Sequence, residues 1–244
     1  MLGRHLVAGL CFVGALTASG QNKFGRFEGD VVTKWVDDRR MTLVKPFAYI
    51  AADGTRWEAP EGATIDGASI PQFAWSIIGG PFEGNYRFAS VVHDVACEVR
   101  TRPWQAVHQA FYTAMLAANV SPAKAKVMYA AVYYFGPRWP RTVRMDNVPL
   151  WSAQSEAAAF SSRIAQDEKA IVKILPIEKQ ATKCLACAVE PPPPPPDHAN
   201  VIITLLPDSP ALSQEEFKDL QAAIQAKDLS LEEIRRYHPM KKSQ

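Results

Sequence analysis

The chain has 244 residues, a formal net charge of +2, 48% hydrophobic residues and 21% charged residues. This composition is sufficient for one sizeable folded domain with extensions. No block of basic residues of the kind that grips a phosphate backbone is present, so we expect no nucleic-acid partner.

The first twenty residues have the pattern of a secretory signal peptide. Two basic residues open the chain, an apolar segment follows at 6–15, and Ala18 and Gly20 have the spacing of a cleavage site after Gly20. The apolar segment is too short to span a bilayer comfortably; a buried N-terminal helix or an uncleaved anchor is the alternative. We expect an exported protein, periplasmic or secreted, with no transmembrane helix after cleavage. Cleavage would leave three cysteines, and therefore at least one unpaired thiol: Cys97, Cys184 and Cys187.

Residues 24–65 have strand character, because β-branched and aromatic residues are interrupted by turn signals at Asp37-Asp38 and Asp53-Gly54. They predict a small antiparallel sheet. The glycine- and proline-rich stretch that follows predicts a loop, with one short helix near 73–78.

Apolar periodicity then predicts three helices: Tyr86–Arg100, Pro103–Ala118, and a third from Pro122 to Phe135. Ser121 precedes Pro122 as a predicted N-cap, with proline at the first helical position. The predicted fold class is α+β: a small antiparallel sheet followed by a three-helix unit, forming a compact domain over 22–145.

The remainder is expected to be a long, partly disordered extension. Residues 146–190 predict a charged, alanine-rich helical linker, with a helix over 152–174 and a Cys184-x-x-Cys187 motif read as a local disulfide or exposed thiols. Six prolines at 191–196 predict a stiff spacer. Residues 197–244 predict a small helical segment with a strand candidate at 201–206 and two capping boxes: Ser213 with Glu216, and Ser230 with Glu233. An envelope component or a protein partner is expected to bind through this extension.

His93 and His108 stand out in the predicted helical hairpin. The midpoint between them falls at the turn, so the two residues lie at the same level on facing helices, roughly 11 Å from the turn at a rise of about 1.5 Å per residue. Two imidazoles in an apolar surround cannot both be charged cheaply. At least one is expected to be neutral near pH 7, which suits a general base or a metal ligand.

Three further residues accompany this pair. Asp94 points about 100° away from His93 on a helix and is expected to bind a cation or cap a nearby loop. Asp66, in the glycine-rich loop, is expected to approach the hairpin as a carboxylate, although turn chemistry is an equal alternative. Cys97 lies one turn from His93 and is a nucleophile only if its pKa is lowered; a small buried residue is the simpler interpretation. The histidines themselves have the alternative of being satisfied core residues.

Several motifs resemble one family. "IDGASIP" at 65–71, Trp75, "GGPFEGNYRFASVVHD" at 79–94 and the pattern "FY.AM" at 111–115 are similar to a bacterial and phage family catalogued as domain of unknown function 1353. The resemblance covers about residues 24–140 and implies a shared polar set of Asp66, His93 and Asp94. The family typically carries an aspartate where this chain has His108, which leaves a His–His pair in place of a His–Asp dyad.

The segment "HDVAC" is also similar in outline to the His-Asp-x-x-Cys helix of secreted phospholipases A2, which implies a general-base histidine and a calcium-binding aspartate. The cysteine framework and calcium loop of those enzymes are absent from this sequence.

Two functions remain open. The first is an exported, envelope-associated hydrolase that uses His93, Asp94, His108 and Asp66, with a divalent metal ion on His93, His108 or Asp94 as a candidate cofactor. The second is a non-enzymatic envelope or phage-derived binding or structural protein.

Overall fold

The computed structural model describes residues 23–38, 40–67, 84–164, 168–179, 192–208 and 212–238. The predicted signal peptide, the predicted helix near 73–78 and the Cys184-x-x-Cys187 motif lie outside these residues. The described chain mixes antiparallel sheets with helices, so the α+β fold class is confirmed.

The N-terminal region forms two three-stranded antiparallel sheets, with strand orders β1-β4-β5 and β2-β3-β6. The predicted turn at Asp53-Gly54 connects β4 to β5, and Gly54 adopts φ +83°, a conformation that favours glycine. The strands are β1 (Arg26–Glu28), β2 (Thr33–Trp35), β3 (Met41–Leu43), β4 (Phe47–Ile50), β5 (Arg56–Ala59) and β6 (Thr64–Ile65).

Three helices follow, close to the predicted bounds: α1 (Arg87–Val99), α2 (Trp104–Ala117) and α3 (Pro122–Phe135). Helix α1 ends because Arg100 adopts the left-handed conformation, with φ 56°. Pro122 occupies the first turn of α3 as predicted. The prediction of Ser121 as the N-cap residue is confirmed, without a hydrogen bond from its side chain.

The extension contains a third antiparallel sheet, ordered β7-β9-β8, and helix α4. Its elements are β7 (Arg141–Pro149), α4 (Leu150–Ser161), β8 (Glu168–Pro176) and β9 (His198–Pro207). The helix predicted over 152–174 is thus wrong beyond Ser161. Residues 168–176 pair along their whole length with β9, and Ile171, Val172 and Ile174 are β-branched residues that favour a strand. The predicted strand at 201–206 is confirmed within β9.

The proline-rich segment leads directly into this sheet. Residues 192–196 form neither helix nor strand, and the first four of them are exposed. The carbonyl of Asp197, which follows the run, accepts a hydrogen bond from the backbone N–H of Leu150 at 2.8 Å, and its side chain pairs with Lys179. The end of the run is therefore fixed against the third sheet.

Two C-terminal helices, α5 (Gln214–Lys227) and α6 (Leu231–Arg235), pack against α3. Both predicted capping boxes are confirmed, at Ser213 and at Ser230. Buried residues of α5 join the main hydrophobic core with the N-terminal sheets and helices, whereas the third sheet and α4 have a smaller core of their own. No described helix combines the length and the apolar character needed to cross a bilayer.

Candidate functional site

The hairpin of α1 and α2 places His93 opposite His108. The Nε2 atom of His93 lies 2.9 Å from the Nδ1 atom of His108, so the equal spacing from the turn does set the two rings level. One nitrogen of this contact must carry the proton and donate, while the other accepts. At least one ring is therefore in the neutral form, as predicted.

Both imidazoles are buried, at 2% and 0% exposure. The ring of Phe111 lies 4.6 Å from that of His93, and the ring of Trp104 lies 5.5 Å from that of His108, centroid to centroid. Burial lowers the pKa of His93 to about 3. The pKa of His108 is also lowered well below its usual value, chiefly by burial and further by the charges of His93 and Arg138. Both rings are consequently neutral at physiological pH.

Arg138 supplies a fixed positive charge near this pair. Its guanidinium lies 4.6 Å from the centroid of the Trp104 ring and donates to the backbone carbonyls of Tyr133 and Asp208. The backbone of Pro137 raises the pKa of His108 and partly offsets the larger effect of burial. Because proline has no N–H, the group that interacts with the ring is its carbonyl.

Cys97 completes a cluster with the two histidines. Its Sγ atom lies 3.6 Å from Nε2 and 3.9 Å from Nδ1 of His93, one helical turn away. One ligand atom from each of the three residues lies within 4.8 Å of the other two, and all three residues are buried. Among the residues the structure describes, this is the group with the donor set and spacing of a metal site.

The two aspartates take different positions. Asp94 is 7% exposed, and its Oδ2 atom accepts a hydrogen bond from the backbone N–H of Gly67 at 2.8 Å. Asp94 therefore anchors the start of the glycine-rich loop to α1, as a loop cap. Asp66 is exposed, and its charge acts on Arg40. The loop thus reaches α1 through the backbone of Gly67, and neither carboxylate belongs to the cluster of close ligand atoms.

An open cleft of about 480 Å³ lies between the β1-β4-β5 sheet and α2. It is lined by aromatic side chains, Tyr49 and Trp57 among them, and by the cations Lys23 and Arg102. The guanidinium of Arg102 lies 4.3 Å from the centroid of the Trp57 ring, and its Nη2 donates to the carbonyl of Arg56 at 2.9 Å. A second cleft of about 530 Å³ shares Trp57 and Arg102, so this stacked pair forms a wall common to both.

Sequence reasoning identified the histidine pair, and its interpretation of Cys97 as a small buried residue is confirmed. It did not include Cys97 among the candidate metal ligands, although the thiol lies beside the imidazoles. The spacing of four residues between His93 and Cys97 is the signal that places a thiol over an imidazole on one helix face. The cleft was missed altogether, because its lining comes from three separate segments of the chain.

Comparisons with known proteins agree with the motifs. Residues 41–132 match the sequence model of a family described as protein of unknown function (DUF1353). The uncharacterized protein y4jT of Sinorhizobium fredii is 37% identical over 197 residues, covering 78% of this chain and 56% of the relative. The uncharacterized protein y4iH of the same organism is 39% identical over 103 residues, covering 42% of this chain and 43% of the relative.

The chain therefore spans about half the length of these curated relatives. No solved structure matches it. The family match covers β3 to most of α3, and so includes strands β3 to β6, Gly67 and the hairpin that carries both histidines. On these grounds, residues 41–132 of the chain are similar to the DUF1353 family.

Proposed function

We propose that this is an exported envelope protein whose DUF1353 domain binds a small ligand in the open cleft and does not use the histidine pair for catalysis. The burial of that pair carries the proposal. A general base must reach a proton of its substrate, yet His93 and His108 are 2% and 0% exposed beneath Phe111 and Trp104. The cleft, by contrast, is open and large enough for a small molecule.

The lining of the cleft favours an organic anion with an apolar body. Phe24 and Trp57 supply apolar surface, while Lys23 and Arg102 supply positive charge. The acidic side chain of the cleft, Asp53, already accepts a hydrogen bond from the backbone N–H of Thr55 at 2.8 Å, which lowers the pKa of its carboxyl. Arg102 offers a planar fork of donors that suits a carboxylate.

Calorimetric titration with a panel of aromatic and aliphatic carboxylates, each beside its neutral amide, tests this proposal. We expect at least one acid to bind, its amide to bind about tenfold more weakly, and Arg102→Met to abolish the difference. Arg26→Met, which removes an exposed arginine from β1, is the matched control. Failure of every acid to bind, or equal binding by Arg102→Met and the wild type, would refute the cleft assignment.

A hydrolase is the second candidate, and the 2.9 Å contact between the two imidazoles favours it, because paired imidazoles can pass a proton between them. Burial lowers the pKa of both rings and makes them weak bases, so the site would have to open to water and substrate before either ring acts as a general base. A panel of ester, amide and phosphodiester substrates, run on the wild type and on His93→Gln, separates the two functions. Activity that His93→Gln abolishes would replace the binding proposal; equal activity in both would remove the hydrolase.

We propose export because residues 1–20 have the order of a signal peptide: basic residues first, then an apolar segment, then small residues at the expected cleavage site. Expression of the full chain in a bacterial host, followed by fractionation and N-terminal sequencing, tests it. We expect the protein in the periplasm or medium, beginning at Gln21. An intact N-terminus on cytoplasmic protein would contradict export.

We further propose that the C-terminal region contacts the envelope or a protein partner there. The exposed residues at the start of the described proline segment support this proposal, because extended proline runs fit aromatic grooves of partners. Replacing 191–196 by a Gly-Ser segment of equal length should release the protein from the envelope fraction. Unchanged retention would contradict the proposal.

A further inference from the structure

We propose that His93, Cys97 and His108 bind one zinc ion in the core of the domain, at a site separate from the open cleft. The three side chains bring two imidazoles and one thiol together at the centre of the α1–α2 hairpin. Imidazole and thiolate are the donors that zinc prefers in proteins, whereas calcium and magnesium require oxygen ligands.

Two of the three edges between the ligand atoms lie close to tetrahedral values, and the third, from Sγ of Cys97 to Nδ1 of His108, lies within 4.8 Å. With Zn–N near 2.0–2.1 Å and Zn–S near 2.3 Å, tetrahedral angles place two ligand nitrogens about 3.3 Å apart and a nitrogen and a sulfur about 3.6 Å apart. The Nε2 atom of His93 lies 2.9 Å from Nδ1 of His108 and 3.6 Å from Sγ of Cys97. The N–S edge already has the required length, and the N–N edge needs to widen by about 0.4 Å.

The protonation state of the ligands also suits a cation. Zinc binds neutral imidazole, and burial keeps both rings in that form. As the zinc–nitrogen bonds form, the proton held between Nε2 of His93 and Nδ1 of His108 moves to the outer nitrogen of the ring that carries it, so that both facing nitrogens are free to bind. Cys97 would bind as thiolate, so its thiol proton passes to solvent as the zinc–sulfur bond forms. The thiolate offsets one of the two positive charges in a buried site, whereas the charge of Arg138 opposes binding. Three protein ligands leave the fourth tetrahedral position to water.

The site has a structural consequence. Its ligands come from both helices of the hairpin, and Asp94, next to His93, ties α1 to the backbone of Gly67. One ion would therefore link α1 to α2 directly beside the loop that opens the family motif. Bound zinc would stabilise the folded domain by mass action, because the unfolded chain does not hold the three ligands together.

Cobalt substitution tests the site, because a thiolate ligand gives cobalt a sulfur-to-metal charge-transfer band in the near ultraviolet. The remaining cysteines, Cys11, Cys184 and Cys187, could supply the same band, so the parent protein for the test carries Ser at these three positions. We expect this parent, stripped by chelator, to bind one equivalent of cobalt with the band and to exchange it for zinc with loss of the band.

Cys97→Ser added to that parent is the decisive variant, since serine preserves the size of the side chain. We expect it to lose the charge-transfer band and to bind zinc at least about tenfold more weakly, with an unchanged circular-dichroism spectrum. His198→Gln, which removes a histidine from β9, is the matched control and should bind as the parent does. Absence of the band in the parent, or equal zinc affinity in Cys97→Ser, would overturn the proposal.

Discussion

The Nε2 atom of His93 donates to, or accepts from, the Nδ1 atom of His108 across 2.9 Å in the interior of the α1–α2 hairpin. A buried hydrogen bond of this kind fixes the register of the two helices, because a shift of either helix would leave one ring nitrogen without its partner. It also limits the charge of the pair, because only one of the two facing nitrogens can carry a proton.

Removing both rings should destabilise the domain by less than the sum of the two single losses, because each single variant also leaves the other ring without its histidine partner. In chelator-treated protein, His93→Leu or His108→Leu leaves the remaining ring without its histidine partner, and we expect each to reduce the free energy of unfolding by about 2 kcal/mol. The double variant should lose at least about 1 kcal/mol less than the sum of the two losses. Urea denaturation of all four proteins measures this coupling. Additive losses would mean that the two rings are energetically independent.

The stability of the metal-free protein should fall below neutral pH. Because burial lowers the pKa of His93 from 6.5 to about 3 and also lowers that of His108, the unfolded state binds protons that the folded state refuses. The histidine contribution is complete above about pH 6.5 and is lost as the pH falls from there towards the folded-state pKa. Each histidine should remove about 1 kcal/mol per pH unit once the pH is below that of free imidazole.

Urea midpoints between pH 7.5 and 5 measure this loss, because carboxyl groups with lowered pKa values, such as those of Glu28 and Asp53, titrate below that window. The His93→Leu/His108→Leu double variant should show a markedly flatter profile. Parallel profiles for the wild type and the double variant would assign the acid sensitivity to other groups.

Local patterns in the sequence were sufficient for most of the N-terminal fold. Apolar periodicity gave α1 to α3 within a residue or two, and the spacing about the turn gave the contact between His93 and His108, because both depend only on helix geometry. The strand at 168–176 was missed because the alanine-rich helix before it made the whole stretch 152–174 look helical, despite the β-branched residues Ile171, Val172 and Ile174. Its state is decided by pairing with β9, some thirty residues further along the chain, and such non-local pairing leaves little trace in a local pattern.

The cluster of His93, Cys97 and His108 was only partly predictable for the same reason. The spacing of Cys97 from His93 can be read from the sequence, but its approach to both rings depends on the packing of α2. Asp66 was expected to bring its carboxylate to the hairpin. The loop does arrive there, yet it makes its contact with Asp94 through the N–H of Gly67, and sequence alone does not distinguish a backbone from a side-chain contact.

Ser121 and Ser213, two of the three serines that begin described helices, should differ in their contribution to stability. Ser213 accepts a hydrogen bond from the backbone N–H of Glu216, whose carboxylate accepts one in return, whereas Ser121 makes no side-chain cap. We expect Ser213→Ala to lower the free energy of unfolding by about 1 kcal/mol and Ser121→Ala to change it by less than about 0.5 kcal/mol. Thermal denaturation compares the two variants directly, and equal losses would show that capping does not distinguish the sites.

The C-terminal helices should be essential to the stability of the main core. Phe217 on α5 is 0% exposed and packs edge-to-face on Phe135 of α3, with ring centroids 5.5 Å apart. The hydroxyl of Tyr134 donates to the carbonyl of Ile234 at 2.7 Å and so holds α6 to the same helix. We expect Phe217→Ala to reduce the free energy of unfolding by about 3–5 kcal/mol, and Tyr134→Phe by about 1 kcal/mol.

Leu206→Ala, at a position on β9 that is 37% exposed, is the control for Phe217→Ala and should lose well under half as much. Because α3 and α5 share one hydrophobic core, the loss in Phe217→Ala should appear as an earlier single transition monitored by both circular dichroism and tryptophan fluorescence. A separate early transition that leaves the hairpin folded would instead mean that α5 and α6 dock as an independent unit. Helix α3 packs against both the hairpin and the buried faces of α5 and α6. We therefore expect unfolding of α5 and α6 to expose the apolar surface of α3 and to destabilise the hairpin.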